Sequence, residues 1–361
     1  MRVATFNVEN LFSRVHAMNS DDTEQTSVVL AAAAELQSLI AHDVYTDADK
    51  ARMLEILKKH RATGTSGPFF LQETRRRLYS YGKIVADGRE DWIGSIEWKR
   101  DLFQGPAIEN TGRIIDELKA DVLCLVEVEN RPVLRRFNET ILKQAPYPHA
   151  NLIDGNDERG IDVGLLSRRP VIDMRSHTDD LDPATNRPIF SRDCAEFEID
   201  IPGTRHLWVL VNHFKSRGYG SKASNDARRR RQAETVAAIL RRFDLAKQWV
   251  IVAGDFNELP SSDSLAPPLQ QAGLRNALAK LPNDADRWTH RDDAVPSKND
   301  QIDYLLVSEA LWPRLREVGI ERRGIWASAK KTREKYPSLS TITGDSNCAS
   351  DHAAVWAEFD L

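Results

Sequence analysis

The chain has 361 residues, with 50 lysines and arginines against 54 aspartates and glutamates, for a formal net charge of −4. That balance excludes a chain held to nucleic acid by bulk positive charge, but allows a local basic groove or a bound cation that reverses the local sign. Three cysteines (Cys124, Cys194, Cys348) exclude a disulfide framework or a Cys/His zinc cluster, and no apolar run reaches the roughly 20 residues of a membrane helix.

Met1 leads at once into Arg2-Val3-Ala4-Thr5-Phe6-Asn7-Val8, which reads as a first strand and leaves no room for a signal peptide. A reduced, cytoplasmic protein is the expectation. Residues 13 to 108 then break the pattern. Helices are expected over Val28 to Ile40 and Asp49 to Lys59, followed by a turn-rich stretch from Thr63 to Pro68. Phe69-Phe70-Leu71 and Trp92 to Trp98 read as strand or loop. The block is expected to be a largely helical insertion within a single domain spanning 1–361, set between the first strand and the helix that should follow it.

From there strand-like and helix-like segments alternate. Ile114, Ile115 and Leu118 recur at helical spacing over Thr111 to Lys119. Val122-Leu123-Cys124-Leu125-Val126 has the continuous apolar character of a strand buried on both faces. Further strands are expected over Asp162 to Ser167, Cys194 to Ile201, Leu207 to Asn212, Trp249 to Ala253, Ile302 to Val307 and Ala353 to Phe359, with a long helix from Asn225 to Phe243. The pattern is that of an α/β fold.

Polar residues stand at the ends of these strands, where ligand sites of α/β proteins gather. Asn7 interrupts an apolar strand, as a turn-forming asparagine or a functional one. Glu127 follows directly on the run ending at Val126, a costly place for a carboxylate unless it is paired, exposed or bound to a metal. Glu129 competes with it from the same strand face. Asn212-His213-Phe214-Lys215-Ser216 places a histidine and a lysine at another strand end, a plausible phosphate environment. Val250-Ile251-Val252-Ala253 runs into Gly254-Asp255-Phe256-Asn257. Its glycine allows close backbone approach, and Asp255 and Asn257 face one way if the strand continues. Asp303 opens a strand, and Asp351-His352 immediately precedes the last one. Asp303 can orient His352, as a base is held by a third group. Arg228-Arg229-Arg230-Arg231 point in different directions at helical spacing and read as a mostly solvated face; Arg75-Arg76-Arg77 reads the same way.

Six segments, in order, resemble the endonuclease/exonuclease/phosphatase superfamily. They are Thr5-Phe6-Asn7-Val8-Glu9-Asn10, Leu125-Val126-Glu127-Val128, Asn212 to Ser216, Gly254 to Asn257, Ile302-Asp303-Tyr304 and Ser350-Asp351-His352. The resemblance covers the first strand and residues from about 108 onward. It implies a four-layer α-β-β-α sandwich of two mixed sheets, with the site at one edge. It implies Mg²⁺ or Mn²⁺ bound by Glu127 with Asn7 and Asp351. By position, Asp255 would orient or deprotonate the attacking water, and Asn257 would hold that water or a phosphate oxygen. His352, paired with Asp303, would contact the scissile phosphate. His213 would serve as acid for the leaving oxygen, with Asp162 behind it. Lys215 and Arg159 would bind substrate.

Asn212 to Ser216 looks most like the deoxyribonuclease-like branch of bacterial nucleases. The expected activity is therefore a metal-dependent phosphodiesterase acting on DNA or RNA, with no membrane segment and no obligate protein partner. Two alternatives share the segments: a small-molecule phosphatase or lipid phosphodiesterase with the same chemistry, and a non-catalytic binding protein with a relic site.

Overall fold

A continuous apolar stretch is stable as a strand only if both its faces are covered, and Val122–Val128 lies with every residue but Glu127 buried. The computed structural model describes residues 1–11, 23–64, 66–99, 105–157, 160–203, 205–218, 221–291, 299–327 and 330–361. The chain divides into two compact units, Met1–Phe12 with Gln104–Leu361, and Ser13–Phe103.

The first unit carries strands β1 (Arg2–Leu11), β2 (Val122–Val128), β3 (His149–Leu152), β4 (Asp162–Ser167), β5 (Val171–Arg175) and β6 (Cys194–Ile201). They continue as β7 (Arg205–His213), β8 (Trp249–Asp255), β9 (Leu274–Asn276), β10 (Asp303–Ser308), β11 (Leu315–Glu321) and β12 (Ala354–Phe359). Its main helices are α1 (Pro106–Leu118), α2 (Arg131–Thr140) and α3 (Lys222–Leu240). The strands form two six-stranded sheets, ordered β11-β12-β1-β2-β4-β3 and β9-β10-β8-β7-β6-β5. Both are mixed: β1 runs parallel to β2 and β7 parallel to β8, and the other pairings are antiparallel.

The sheets face each other across one core. Val3, Cys124, Val126 and Val355 of the first meet Phe197, Val209, Ile251 and Leu305 of the second. On the far side of the second sheet, Leu210, Val250, Val252 and Leu306 pack on Ala233, Val236 and Leu240 of α3. Helices α1 and α2 lie against the first sheet, α1 through its buried Ile114, Ile115 and Leu118. This is the four-layer sandwich. The strands that no apolar run announces are β3, β5, β9 and β11, and they are the four sheet edges. An edge strand is half solvated, so its sequence need not be continuously apolar.

The second unit has a core of its own, built from Leu36, Met53, Leu57, Phe69, Leu78 and Trp92. Its helices are Thr23–Ile40 and Asp47–Lys59, the latter started by a Thr46/Asp49 capping box. Phe69–Arg75 pairs antiparallel with Ile93–Trp98. No described helix is long and apolar enough to cross a membrane.

Candidate active site

Sheet register brings the polar strand ends together. Asn7 pairs with Val126 across β1 and β2, which sets Glu127 beside the end of β1. In the other sheet His213 pairs with Asp255, and Asp255 with Asp303. Val355 of β12 pairs with Thr5, so the Ser350 to His352 segment before β12 lies alongside Asn7. There Ser350 Oγ donates to the Asn7 carbonyl at 2.8 Å and accepts the His352 amide at 2.9 Å.

The backbone departs from regular strand at these positions. Glu127 has φ 67°, at a point where β2 shifts register against both its neighbours. This is a bulge that re-aims one side chain. Gly254 has φ 129°, and a Cβ there would lie 1.9 Å from the Asn212 carbonyl oxygen, so only glycine fits the approach of β8 to β7. The strand does not continue to Asn257. With φ 53° the chain turns back, and the Asn257 amide and Nδ2 donate to Asp255 Oδ1 and Oδ2 at 2.7 and 3.0 Å. The two residues face each other across a turn, contrary to the continued-strand expectation. Asn257 Nδ2 also donates to the Phe214 carbonyl at 3.2 Å.

Asp255 stands at the centre. Asn7 Nδ2 donates to its Oδ2 at 3.2 Å, and His213 Nε2 and His352 Nε2 lie 3.7 and 3.9 Å from the same oxygen. His213 Nε2 is also 3.8 Å from Glu127 Oε1. His352 Nδ1 is 2.8 Å from Asp303 Oδ2, and Thr289 Oγ1 donates to that oxygen at 2.7 Å. The Thr289 hydroxyl in turn accepts the Ile302 and Asp303 amides. Asp351 Oδ1 lies 3.8 Å from His352 Nε2, and the Asp351 amide donates to Glu9 Oε2 at 2.9 Å.

The electrostatics are those of crowded carboxylates. Burial pushes the Asp255 carboxyl up to about 7, with His352 opposing and Asp303 reinforcing the rise. Glu9 touches solvent on one side, yet desolvation in the cleft and the neighbouring Asp351 charge push it to about 7 as well. Burial raises Glu127, with His352 again opposing. Burial works against a charge on His352, but Asp303 and Asp351 outweigh it and hold the imidazole well above its usual range. Burial likewise opposes charge on Asp351, and His352 and His290 overcome it and keep that carboxyl low. The donor chemistry fits a hard divalent cation. Asn7, Glu127 and Asp351 offer oxygen donors, and a cation among them would offset the burial cost and the Asp351 repulsion that raise Glu9 and Glu127.

Four expected residues fall elsewhere or outside view. Asp162, pushed up to about 7 by burial, accepts the Gly155 amide at 2.8 Å, while His213 Nε2 lies within 4 Å of Glu127 and Asp255. Lys215 Nζ donates to the Ser216 and Gly218 carbonyls at 3.0 and 2.7 Å, turned onto its own loop. Arg159 lies outside the described residues. Glu129 follows the end of β2, its amide donating to the Leu11 carbonyl. The arginine run also differs from a solvated face. Arg229 is buried, donating to Glu258 at 2.8 Å and to Asp226, while Arg230 pairs outside with Glu234. Sequence reasoning assigned nothing to Glu9, Thr289 or His290. Glu9 lies inside the first family-like segment, Thr5 to Asn10, whereas Thr289 and His290 stand in a stretch with no strand pattern.

The fold and site together define an α/β sandwich carrying a buried Asp255–Asp303–His352 cluster at the strand ends. The model of the Endonuclease/Exonuclease/phosphatase family matches residues 102–352, and the chain belongs to that family of phosphoesterases. No curated relative matches it. Among solved structures, an AP endonuclease from Archaeoglobus fulgidus is 17% identical, covering 70% of this chain and 94% of its own, with a TM-score of 0.50. An endonuclease/exonuclease/phosphatase family protein from Leptotrichia buccalis is 16% identical over 72% and 95%, with a TM-score of 0.50. D. rerio TDP2, complexed with a single strand DNA product, is 15% identical over 72% and 94%, with a TM-score of 0.49. At these identities the likeness is one of fold.

Proposed function

We propose that the protein is a divalent-metal-dependent phosphodiesterase acting on nucleic-acid strands. The observation that carries the reading is the convergence on Asp255 Oδ2 of Asn7, His213 and the Asp303-held His352. Three separate strand ends and the β12 approach supply those groups. Such convergence has no structural purpose that a packed apolar corner would not serve better.

Roles follow from the contacts. Asp255 accepts the proton of the attacking water; its carboxyl, raised to about 7, suits a base working near neutral pH. Asn257 fixes both oxygens of that carboxyl and so sets its plane. His352 is charged, with Nδ1 committed to Asp303, and presents Nε2–H to the phosphoryl oxygens. His213, whose Nε2 lies 3.7 Å from the same Asp255 oxygen, donates to the leaving oxygen. Asn7, Glu127 and Asp351 would hold Mg²⁺ or Mn²⁺, which when bound polarises the phosphoryl group and offsets charge built up in displacement. The choice of nucleic acid rests on the likeness of Asn212 to Ser216 to the deoxyribonuclease-like branch.

The test is turnover of plasmid DNA, RNA, bis-p-nitrophenyl phosphate and p-nitrophenyl phosphate by the purified protein with Mg²⁺, Mn²⁺ or Ca²⁺. Diester hydrolysis with strand cleavage is expected. Diester hydrolysis without strand cleavage assigns a small phosphodiester or lipid substrate instead. No turnover of any ester, with no metal binding by calorimetry, refutes the enzyme.

A further inference from the structure

His290 belongs to none of the six recognised segments, yet it stands at the mouth of the site. It lies on a short strand, His290–Arg291, paired with Asn299–Asp300. The same segment is knitted to the residues before β12. The Ala353 amide donates to the Thr289 carbonyl at 2.6 Å, and the Arg291 amide to the Asp351 carbonyl at 3.3 Å, so His290 and His352 bridge as neighbours. His290 is therefore held by backbone on both sides. Thr289, its neighbour in the chain, supports Asp303.

We propose that His290 is a nitrogen ligand of the divalent cation bound at Asp351, and that it makes the site prefer Mn²⁺ to Mg²⁺. The proposal rests on the metal-dependent reading above. Three observations support it. First, His290 Nε2 lies 3.5 Å from Asp351 Oδ2. Bonds of about 2.1 Å to one octahedral ion set adjacent ligands about 3 Å apart, so small side-chain rotations close the site. Second, ligand atoms of His290, Asp351 and His352 all lie within 4.8 Å of one another. Of the two imidazoles, His352 is tied to Asp303 and faces Asp255, which leaves His290 on the Asp351 Oδ2 side. Third, the His290 and Asp351 side chains are 25% and 41% exposed, against 8% for His352, so ion and solvent have a way in. An imidazole among carboxylates favours the transition metals over Mg²⁺, which binds oxygen almost alone.

The test uses the intact metal-free protein, titrated by calorimetry with MnCl₂ and separately with MgCl₂, and pulsed electron paramagnetic resonance of the Mn²⁺ complex. A histidine nitrogen hyperfine coupling is expected in the wild type. It should vanish in His290→Ala and persist in His352→Gln. Mn²⁺ affinity should fall at least about tenfold in His290→Ala, while Mg²⁺ affinity changes far less. A Mn²⁺ complex with no nitrogen coupling overturns the proposal. So does a coupling that survives His290→Ala and disappears in His352→Gln. The wild-type measurement needs no variant to fold, and ester turnover by the wild type tests the phosphoesterase reading separately.

Discussion

Replacing Asp303 by asparagine removes the charge that holds His352 while keeping the shape of the side chain. Asp303 Oδ2 lies 2.8 Å from His352 Nδ1. A unit charge pair at that distance is worth about 6 kcal/mol at an effective dielectric of about 20. That is a ceiling, because Asp351 and Asp255 still face the ring at 3.8 and 3.9 Å. An asparagine oxygen in the same place also keeps a neutral hydrogen bond of about 1 kcal/mol. A net loss of about 2–4 kcal/mol in the preference for the charged ring follows, and it lowers the pH at which His352 titrates. Proton NMR of the ring Cε1–H in the metal-free protein reads this directly, and steady-state turnover should fall by about 10²–10³. Stability carries a second signature. The folded pKa of His352 is raised, so its contribution is fully present below the unfolded value of about 6.5 and is lost as pH rises through the folded value. The variant should therefore be most destabilised in acid and approach wild type in alkali. A ring that stays charged to the same pH as in wild type, with turnover within about threefold, would falsify the dyad.

Asp255→Asn keeps the shape of the side chain and one of the two bonds from Asn257 but removes the base, and turnover should drop by at least about 10²-fold with metal affinity retained; near-normal rates would misplace the reaction. Glu127→Gln should weaken Mg²⁺ or Mn²⁺ binding by about tenfold or more in calorimetry, and unchanged binding would move the role to Glu129. Gly254→Ala forces a Cβ to within 1.9 Å of the Asn212 carbonyl oxygen at a φ of 129°. It should cost at least about 3 kcal/mol in urea denaturation, and a midpoint like that of wild type would contradict the tight β7–β8 approach. Arg229→Ala takes the nearer arginine from Glu258, with Arg217 remaining at 3.4 Å, and should cost about 2–3 kcal/mol, whereas Arg230→Ala should cost less than about 0.5 kcal/mol. If the arginine run instead bound phosphates, Arg230→Ala would lower the salt slope of DNA binding by about one.

What was legible in the sequence follows from what each element had to bury. Strands inside the two sheets need apolar residues on both faces, so Val122–Val128, Trp249–Asp255 and Asp303–Ser308 stand out as runs. The edge strands Val171–Arg175 and Leu315–Glu321 carry the same backbone with half the apolar demand, and their polar letters hide them. Arg229 fails for the reverse reason. A cation in a run of four reads as solvated, and only the fold shows that this one turns inward to Asp226 and Glu258. Helix α3 starts three residues before the expected Asn225, where Ser221 caps it by accepting the Ser224 amide.

The site was legible as a set of letters but not as a geometry, and the reason is local. Glu9, Glu127 and Asn257 all hold positive φ, at 46°, 67° and 53°. Glycine or asparagine announces such a conformation in a sequence, whereas glutamate does not. Reading the strands as continuing gives Asp255 and Asn257 a common face and leaves Glu129 as a competitor to Glu127. The bulge at Glu127 brings its carboxylate to 3.8 Å from His213 Nε2. The turn at Asn257 sets its side chain against Asp255. Strain of this kind costs of order 1–3 kcal/mol per residue and persists only where surrounding contacts hold it. Its presence at Glu9, Glu127 and Asn257, around a carboxylate that His213 and His352 both approach, is itself an argument that the convergence serves chemistry and not packing.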